Sequence, residues 1–224
     1  MDEIELRIIQ IVTLIFSVVV HEIAHAWVAL RCGDTTARDL GRITLNPVPH
    51  IDLFMTIILP LALIMSNSPV VFGGAKPVPV NFRRCFNPRR AYWLVSLAGP
   101  LSNLALALCA LILFPFAGLL FKANPAIAEH LFKALLVFGF INLILMTFNL
   151  LPIPPLDGSR ILTVLLPDKI AWHYAQIERY GFFIIIGLLY LGRVNPKFNF
   201  LGMFFGHVYD VYSFAVTKLL PLFT

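Results

Sequence analysis

The chain has 224 residues, of which 59% are hydrophobic and 13% charged, with a mean hydropathy of +0.84. A soluble domain carries about a quarter charged residues, so these proportions exclude an ordinary soluble fold and predict an all-α polytopic membrane protein whose surrounding is the lipid bilayer. The net charge of +5 does not point to a nucleic-acid partner, because basic residues in a membrane chain mark cytoplasmic loops.

The N-terminal MDEIELR is rich in acids and no small-residue cleavage site follows it, which argues against a cleaved signal peptide. A spanning helix needs about 20 apolar residues, and residues 4–31 are the first candidate. Inside it, residues 21–25 read HEIAH. Ionisable groups at such a depth are costly to bury and mark a functional site. His21 and His25 are four apart, which puts both imidazoles on one helix face. That spacing suits two ligands of one Zn2+ ion per chain, with Glu22 beside them as a general base.

Residues 41–50 read GRITLNPVPH. Arg42, Thr44 and Asn46 alternate with Ile43 and Leu45, a strand period that Pro47 and Pro49 end. A short strand there could take an extended peptide along Ile43, Thr44 and Leu45 by strand addition; an ordinary surface turn is the alternative. Residues 53–65 are apolar but short for a crossing. They are expected to dip in and return, or to lie in the interface, so that residues 41–66 form a small strand and a re-entrant element or short helix; a full crossing, the sixth, is the alternative.

Further spanning helices are predicted over 91–120, 127–150, 173–192 and 199–220, which makes five to six crossings in a single domain covering 1–224. Residues 91–165 complete the core, and 173–220 supply two C-terminal helices. The basic clusters Arg31, Arg38, Arg42, then Lys76, Arg83, Arg84, Arg89, Arg90, then Arg160, Lys169, Arg179 are expected to be cytoplasmic. The N-terminus then lies outside and the C-terminus inside, in a multi-pass arrangement in the cytoplasmic membrane. Cys32, Cys85 and Cys109 show no CxxC spacing and are expected to be free thiols.

A catalytic zinc needs a third protein ligand and an open position. Asp157, in NLLPIPPLDGSR at residues 149–160, stands out among the acids. Pro152, Pro154 and Pro155 deny that stretch a regular helix, and Gly158 permits close approach. A helix rises about 26 Å from Ile4 to His21 and about 9 Å from His25 to Arg31. The histidines therefore lie nearer the cytoplasmic face, where the charge bias also places Asp157. Asp52 beside His50, and Asp210 near His207, are the competing polar clusters.

HEIAH in the first helix, SLAGPLSN at 96–103 and NLLPIPPLDG at 149–158 together resemble the site-2 protease family of intramembrane zinc metalloproteases (peptidase family M50). FGGAKPVPVN at 72–81 and GRITLNP at 41–47 look like a compact prokaryotic branch of it. The resemblance covers about residues 10 to 165. It implies that His21 and His25 are metal ligands, that Glu22 is the catalytic glutamate and that Asp157 is the third ligand. Asn149 matches an asparagine at the head of the LDG motif, and Gly99, Pro100 and Asn103 match a segment near the active site. It also implies a transmembrane protein or peptide as substrate, held in extended form and cut in or near its membrane segment. The length leaves no room for the PDZ or CBS domain that many relatives carry.

In hydrolysis Glu22 would move the water proton, and Asn149 or Asn103 could donate to the oxyanion; helix-end or interhelical hydrogen bonding is the other role open to both amides. Two rival functions are a membrane metal-ion transporter, for which a second HExxH or HxxxE motif is missing, and a pseudoprotease that binds membrane segments without cutting them. The intact His21, Glu22, His25 and Asp157 argue against the latter.

Overall fold

A computed structural model describes residues 3–58, 62, 65, 73–120 and 124–219. The chain divides into two compact units, one of Ile15–Ser102 and one of Met1–Leu14 with Asn103–Thr224. Eight α-helices are found among the described residues: α1 (Glu3–Arg31), α2 (Thr36–Asp39), α3 (Pro88–Leu120), α4 (Pro125–Asn149), α5 (Asp157–Leu165), α6 (Asp168–Ala175), α7 (Gly181–Val194) and α8 (Phe200–Leu219). α1 and α3 supply residues to both units.

Among the described residues, three helices, α1, α3 and α4, are long and apolar enough to cross a membrane. Their polarity is that of a chain solvated by lipid. On α1, Ile4, Ile8, Ile11, Val12 and Trp27 face outward, while Thr13, Ser17, His21 and His25, at steps of four, are buried. Four residues is close to one helical turn, so the buried stripe is polar along its length. Both α3 and α4 open on an asparagine cap followed by proline. Asn87 Oδ1 accepts from the Arg90 amide at 3.1 Å, and Asn124 Oδ1 from the Ile127 amide at 3.2 Å. Proline at the first helical position loses no hydrogen bond, because that N–H has no intrahelical partner.

In the unit of residues 15–102, the chain leaves α1 through α2, a 3-10 turn at Val48–His50 and a π-helical turn at Leu53–Ile58. No strand forms among the described residues, so the strand expected at 41–47 is corrected to a loop. The cause is local. Thr44 Oγ1 accepts from the Asn46 amide at 3.2 Å, and Asn46 Oδ1 accepts from the Val48 amide at 3.1 Å. Side-chain oxygens that capture nearby amides offer the backbone an alternative to a ladder. Within the expected re-entrant stretch 53–65, residues 59–61, 63 and 64 lie outside the described residues.

Residues 73–81 run without helix, because Pro77 and Pro79 push the residues before them out of the helical region. Their backbone is held by other segments of the same unit. Thr56 Oγ1 donates to the Gly74 carbonyl at 2.6 Å, the Lys76 amide donates to the His50 carbonyl at 2.8 Å, and the Asn81 amide donates to Asp34 Oδ2 at 2.7 Å.

In the other unit, Ala110, Phe114 and Ala117 of α3, Leu135 of α4, and Tyr212 and Val216 of α8 form the buried core. Tyr212 satisfies its hydroxyl on the Leu135 carbonyl at 3.3 Å. The helix expected at 173–192 is instead three elements. α6 ends at Ala175, a 3-10 turn covers Gln176–Tyr180, and α7 has 14 residues. α8 matches the expectation at 199–220 in position, but His207 and Asp210 interrupt its apolar run. All three cysteines are free thiols.

Candidate metal centre

His21 and His25 are both buried, and their Nε2 atoms stand 3.0 Å apart with the rings edge to face. Two ligands bonded at about 2.0–2.1 Å to one tetrahedral ion would be separated by about 3.3 Å. The second nitrogen of His25, Nδ1, lies 2.6 Å from the Val95 carbonyl oxygen of α3. A carbonyl can only accept, so Nδ1 carries the proton and Nε2 keeps its lone pair. This is the backbone contact that orients a metal-binding histidine and selects its tautomer. Two convergent imidazole nitrogens, one with its tautomer set, fit a zinc ion.

Gly99 is what lets α3 approach that pair. A β-carbon there would lie 2.4 Å from His25 Nε2 and 2.5 Å from His21 Nε2. Pro100, next to it, is fully buried and removes a backbone donor from the helix interior.

Glu22 Oε2 accepts from the Val78 amide at 2.8 Å. Among the described residues Oε1 has no partner. One carboxylate oxygen is thus held by backbone.

Asp157 belongs to the other unit. It is 6% exposed and opens α5 directly after the irregular stretch 150–156. The expected failure of helix across Pro152, Pro154 and Pro155 is what the structure shows. Gly158 is the close approach: a β-carbon there would lie 2.1 Å from the Leu150 carbonyl oxygen. Tyr174 donates to the Pro152 carbonyl at 2.7 Å, which holds the stretch from its other side. Arg160 lies 3.9 Å from both Asp157 Oδ1 and Glu178 Oε1.

Comparison with known proteins sorts this chemistry. The family model described as peptidase family M50 matches residues 9–122 and 116–191. The chain belongs to peptidase family M50. It is 43% identical over 181 residues to the protein named "Putative zinc metalloprotease YwhC" of Bacillus subtilis (strain 168), covering 80% of this chain and 78% of that protein. It is 32% identical over 204 residues to "Putative zinc metalloprotease Rip2" of Mycolicibacterium smegmatis, covering 91% and 74%. No solved structure matches it. The resemblance to site-2 proteases is thereby borne out.

The remaining residues of this M50 chain divide by unit. Asn103 is fully buried, and its Nδ2 donates to Asn142 Oδ1 at 2.9 Å. Asn149, the last residue of α4, is half-buried, and its Nδ2 donates to the Leu145 carbonyl at 2.9 Å. In the unit of residues 15–102, Ile43 and Thr44 are half-buried and Leu45 is exposed. His50 is used within its loop, where Nε2 donates to the Thr44 carbonyl at 3.1 Å. Asp52 Oδ1 accepts from the Phe54 amide at 3.0 Å. His207 and Asp210 are exposed on α8. The M50 sequence gave no warning of Val78 or Val95, since each acts through backbone atoms that every residue type carries.

Proposed function

We propose that this chain is an intramembrane zinc endopeptidase that hydrolyses peptide bonds in or near the membrane segments of anchored proteins or peptides. The observation that carries the proposal is the pairing of convergent His21 and His25 nitrogens with a Glu22 carboxylate held by one oxygen. Membership of M50, and the zinc metalloprotease names of the relatives, support it.

Asp157 is assigned as the third protein ligand. It is a buried carboxylate that opens a helix after a proline-rich turn, and a catalytic zinc takes three protein ligands with one position open. When bound, the ion supplies Lewis acidity toward water and the scissile carbonyl. Glu22 takes a proton from the attacking water at Oε1 and delivers it to the departing amine. Asn149, half-buried and with a second amide hydrogen beyond the one given to Leu145, is assigned to the developing oxyanion. Asn103, buried against Asn142, is assigned to helix packing. Gly99 and Pro100 form the wall behind the histidines, and Ile43, Thr44 and Leu45 touch substrate as a loop.

The membrane arrangement we favour has five crossings, with α7 and α8 as its shorter or more polar members. The N-terminus lies outside and the C-terminus inside. It rests on the basic clusters and on the apolar exterior of α1.

The test is Glu22→Gln, with a tagged single-span substrate in proteoliposomes. Loss of a general base costs about 10²–10⁴ in rate, so cleavage should fall by that factor while zinc content stays at one per chain. A wild-type protein that cuts nothing but carries zinc across the vesicle wall would be a transporter. One that holds the substrate uncut with zinc present would be a pseudoprotease.

A further inference from the structure

Arg42 is buried, 7% exposed, and lies in the loop after α2. Burial of a guanidinium is expensive unless an anion or a full set of acceptors meets it. Among the described residues no carboxylate pairs with it, and its Nε has no hydrogen-bond partner. Its Nη2 makes the bonds that are present, to the Lys76 carbonyl at 2.7 Å and the Pro77 carbonyl at 3.4 Å. These two carbonyls flank Pro77. The next amide in the chain is that of Val78, which donates to Glu22 Oε2 at 2.8 Å.

We propose that Arg42 is a positioning residue for the Glu22 carboxylate, acting through the backbone of residues 76–78; the proposal rests on Glu22 being the general base. The Pro77–Val78 peptide unit lies between a cation and an anion. Its carbonyl oxygen points at the Arg42 guanidinium and its N–H at Glu22. A peptide bonded at both ends is polarised, and each bond strengthens the other. The buried charge of Arg42 is thus answered by Glu22 across one peptide plane. Proline at 77 suits the arrangement twice over. It has no N–H to compete for an acceptor, and its fixed φ limits the ways the two carbonyls can turn. The result is a carboxylate with Oε2 tethered and Oε1 directed to chemistry. Misplacement of a catalytic group by about 1 Å can cost about 10²-fold in rate, which is the scale of effect available to such a clamp.

The test uses the full-length zinc-loaded protein in proteoliposomes with a single-span substrate, comparing wild type, Arg42→Gln and Arg42→Lys. Zinc content, kcat and KM are measured, together with amide hydrogen exchange over residues 73–81. The expected result for Arg42→Gln is a fall in kcat of about 10–100-fold, with KM and zinc content within about twofold of wild type, and faster exchange at Val78. Arg42→Lys keeps a donor for the Lys76 carbonyl but loses the planar fork, so it should recover part of the lost kcat. A kcat unchanged in Arg42→Gln, or a loss explained by missing zinc or a raised KM, overturns the proposal. So does unchanged exchange at Val78. If the wild-type protein cleaves no substrate, the assigned function fails, and exchange at Val78 in Arg42→Gln still decides whether the clamp exists.

Discussion

Gly99 lies so close to His25 that a β-carbon on it would come within 2.4 Å of Nε2, the atom that faces His21. Both sides of that contact are stiff. The glycine is on a long helix, and the histidine is held from behind by the Val95 carbonyl four residues earlier on the same helix. One helix turn of α3 therefore positions the His25 ring from two directions. The Val95 oxygen sets its rotation and tautomer, and the bare α-carbon of Gly99 leaves room for its Nε2.

Gly99→Ala should therefore damage the metal centre while sparing the helix. Alanine is favoured over glycine in a helix interior by about 1 kcal/mol, so α3 itself gains. The two rings must move, and zinc content should fall well below one per chain, with cleavage reduced by about 10²-fold or more. Metal analysis of the purified variant, alongside circular dichroism, checks this. Full zinc occupancy with wild-type cleavage would show that the rings yield without consequence.

Asn103 and Asn142 should behave as a coupled packing pair. Interhelical polar bonds within membranes contribute about 0.6 kcal/mol on average and up to about 1.7. Asn103→Ala and Asn142→Ala should each destabilise on that scale, and the double variant should cost less than their sum. Removing an oxyanion donor costs about 10²–10³ in kcat, and Asn103→Ala should fall far short of that. Unfolding in detergent and steady-state kinetics on the same three variants separate the two roles.

Asp34 is fully buried just beyond the end of α1, and it ties that end to residue 81. Burial by itself pushes its carboxyl up. Bonds from the Thr36 hydroxyl and from the amides of Asn81 and Thr36, with the charge of Arg84, outweigh burial and hold it below the ordinary value. A carboxylate whose folded pKa lies below its unfolded value near 3.9 stabilises fully above about pH 4, and that contribution is lost as pH falls through the folded pKa. Asp34→Asn should be less stable than wild type at pH 7 by about 1.5–3 kcal/mol, and the gap should close below about pH 4. Unfolding followed at both pH values measures it. A gap that does not change with pH would mean that the charge of Asp34 contributes nothing.

The features legible in the sequence are those set by short-range geometry. HEIAH on a helix must place His21 and His25 on one face, because the rise and twist of a helix leave no other arrangement. The prolines at 152, 154 and 155 must interrupt helix before Asp157, because each lacks a backbone donor, and the structure has no helix from 150 to 156. Short-range geometry also overrides a side-chain period. The alternation at 41–47 has a strand period, yet Thr44 and Asn46 spend their side chains on nearby amides, which makes a loop.

Only the tertiary structure decides what surrounds Glu22. The Val78 amide comes from 56 residues away and the Arg42 grip on Lys76 spans 34, while the Val95 carbonyl reaches His25 across 70. Each of these contacts uses a backbone N–H or C=O, groups that look the same at every position in a sequence. The identity of the chemistry is carried by side chains and can be read along the chain. The placement of that chemistry depends on backbone atoms meeting across the fold, and that is settled only when the helices pack.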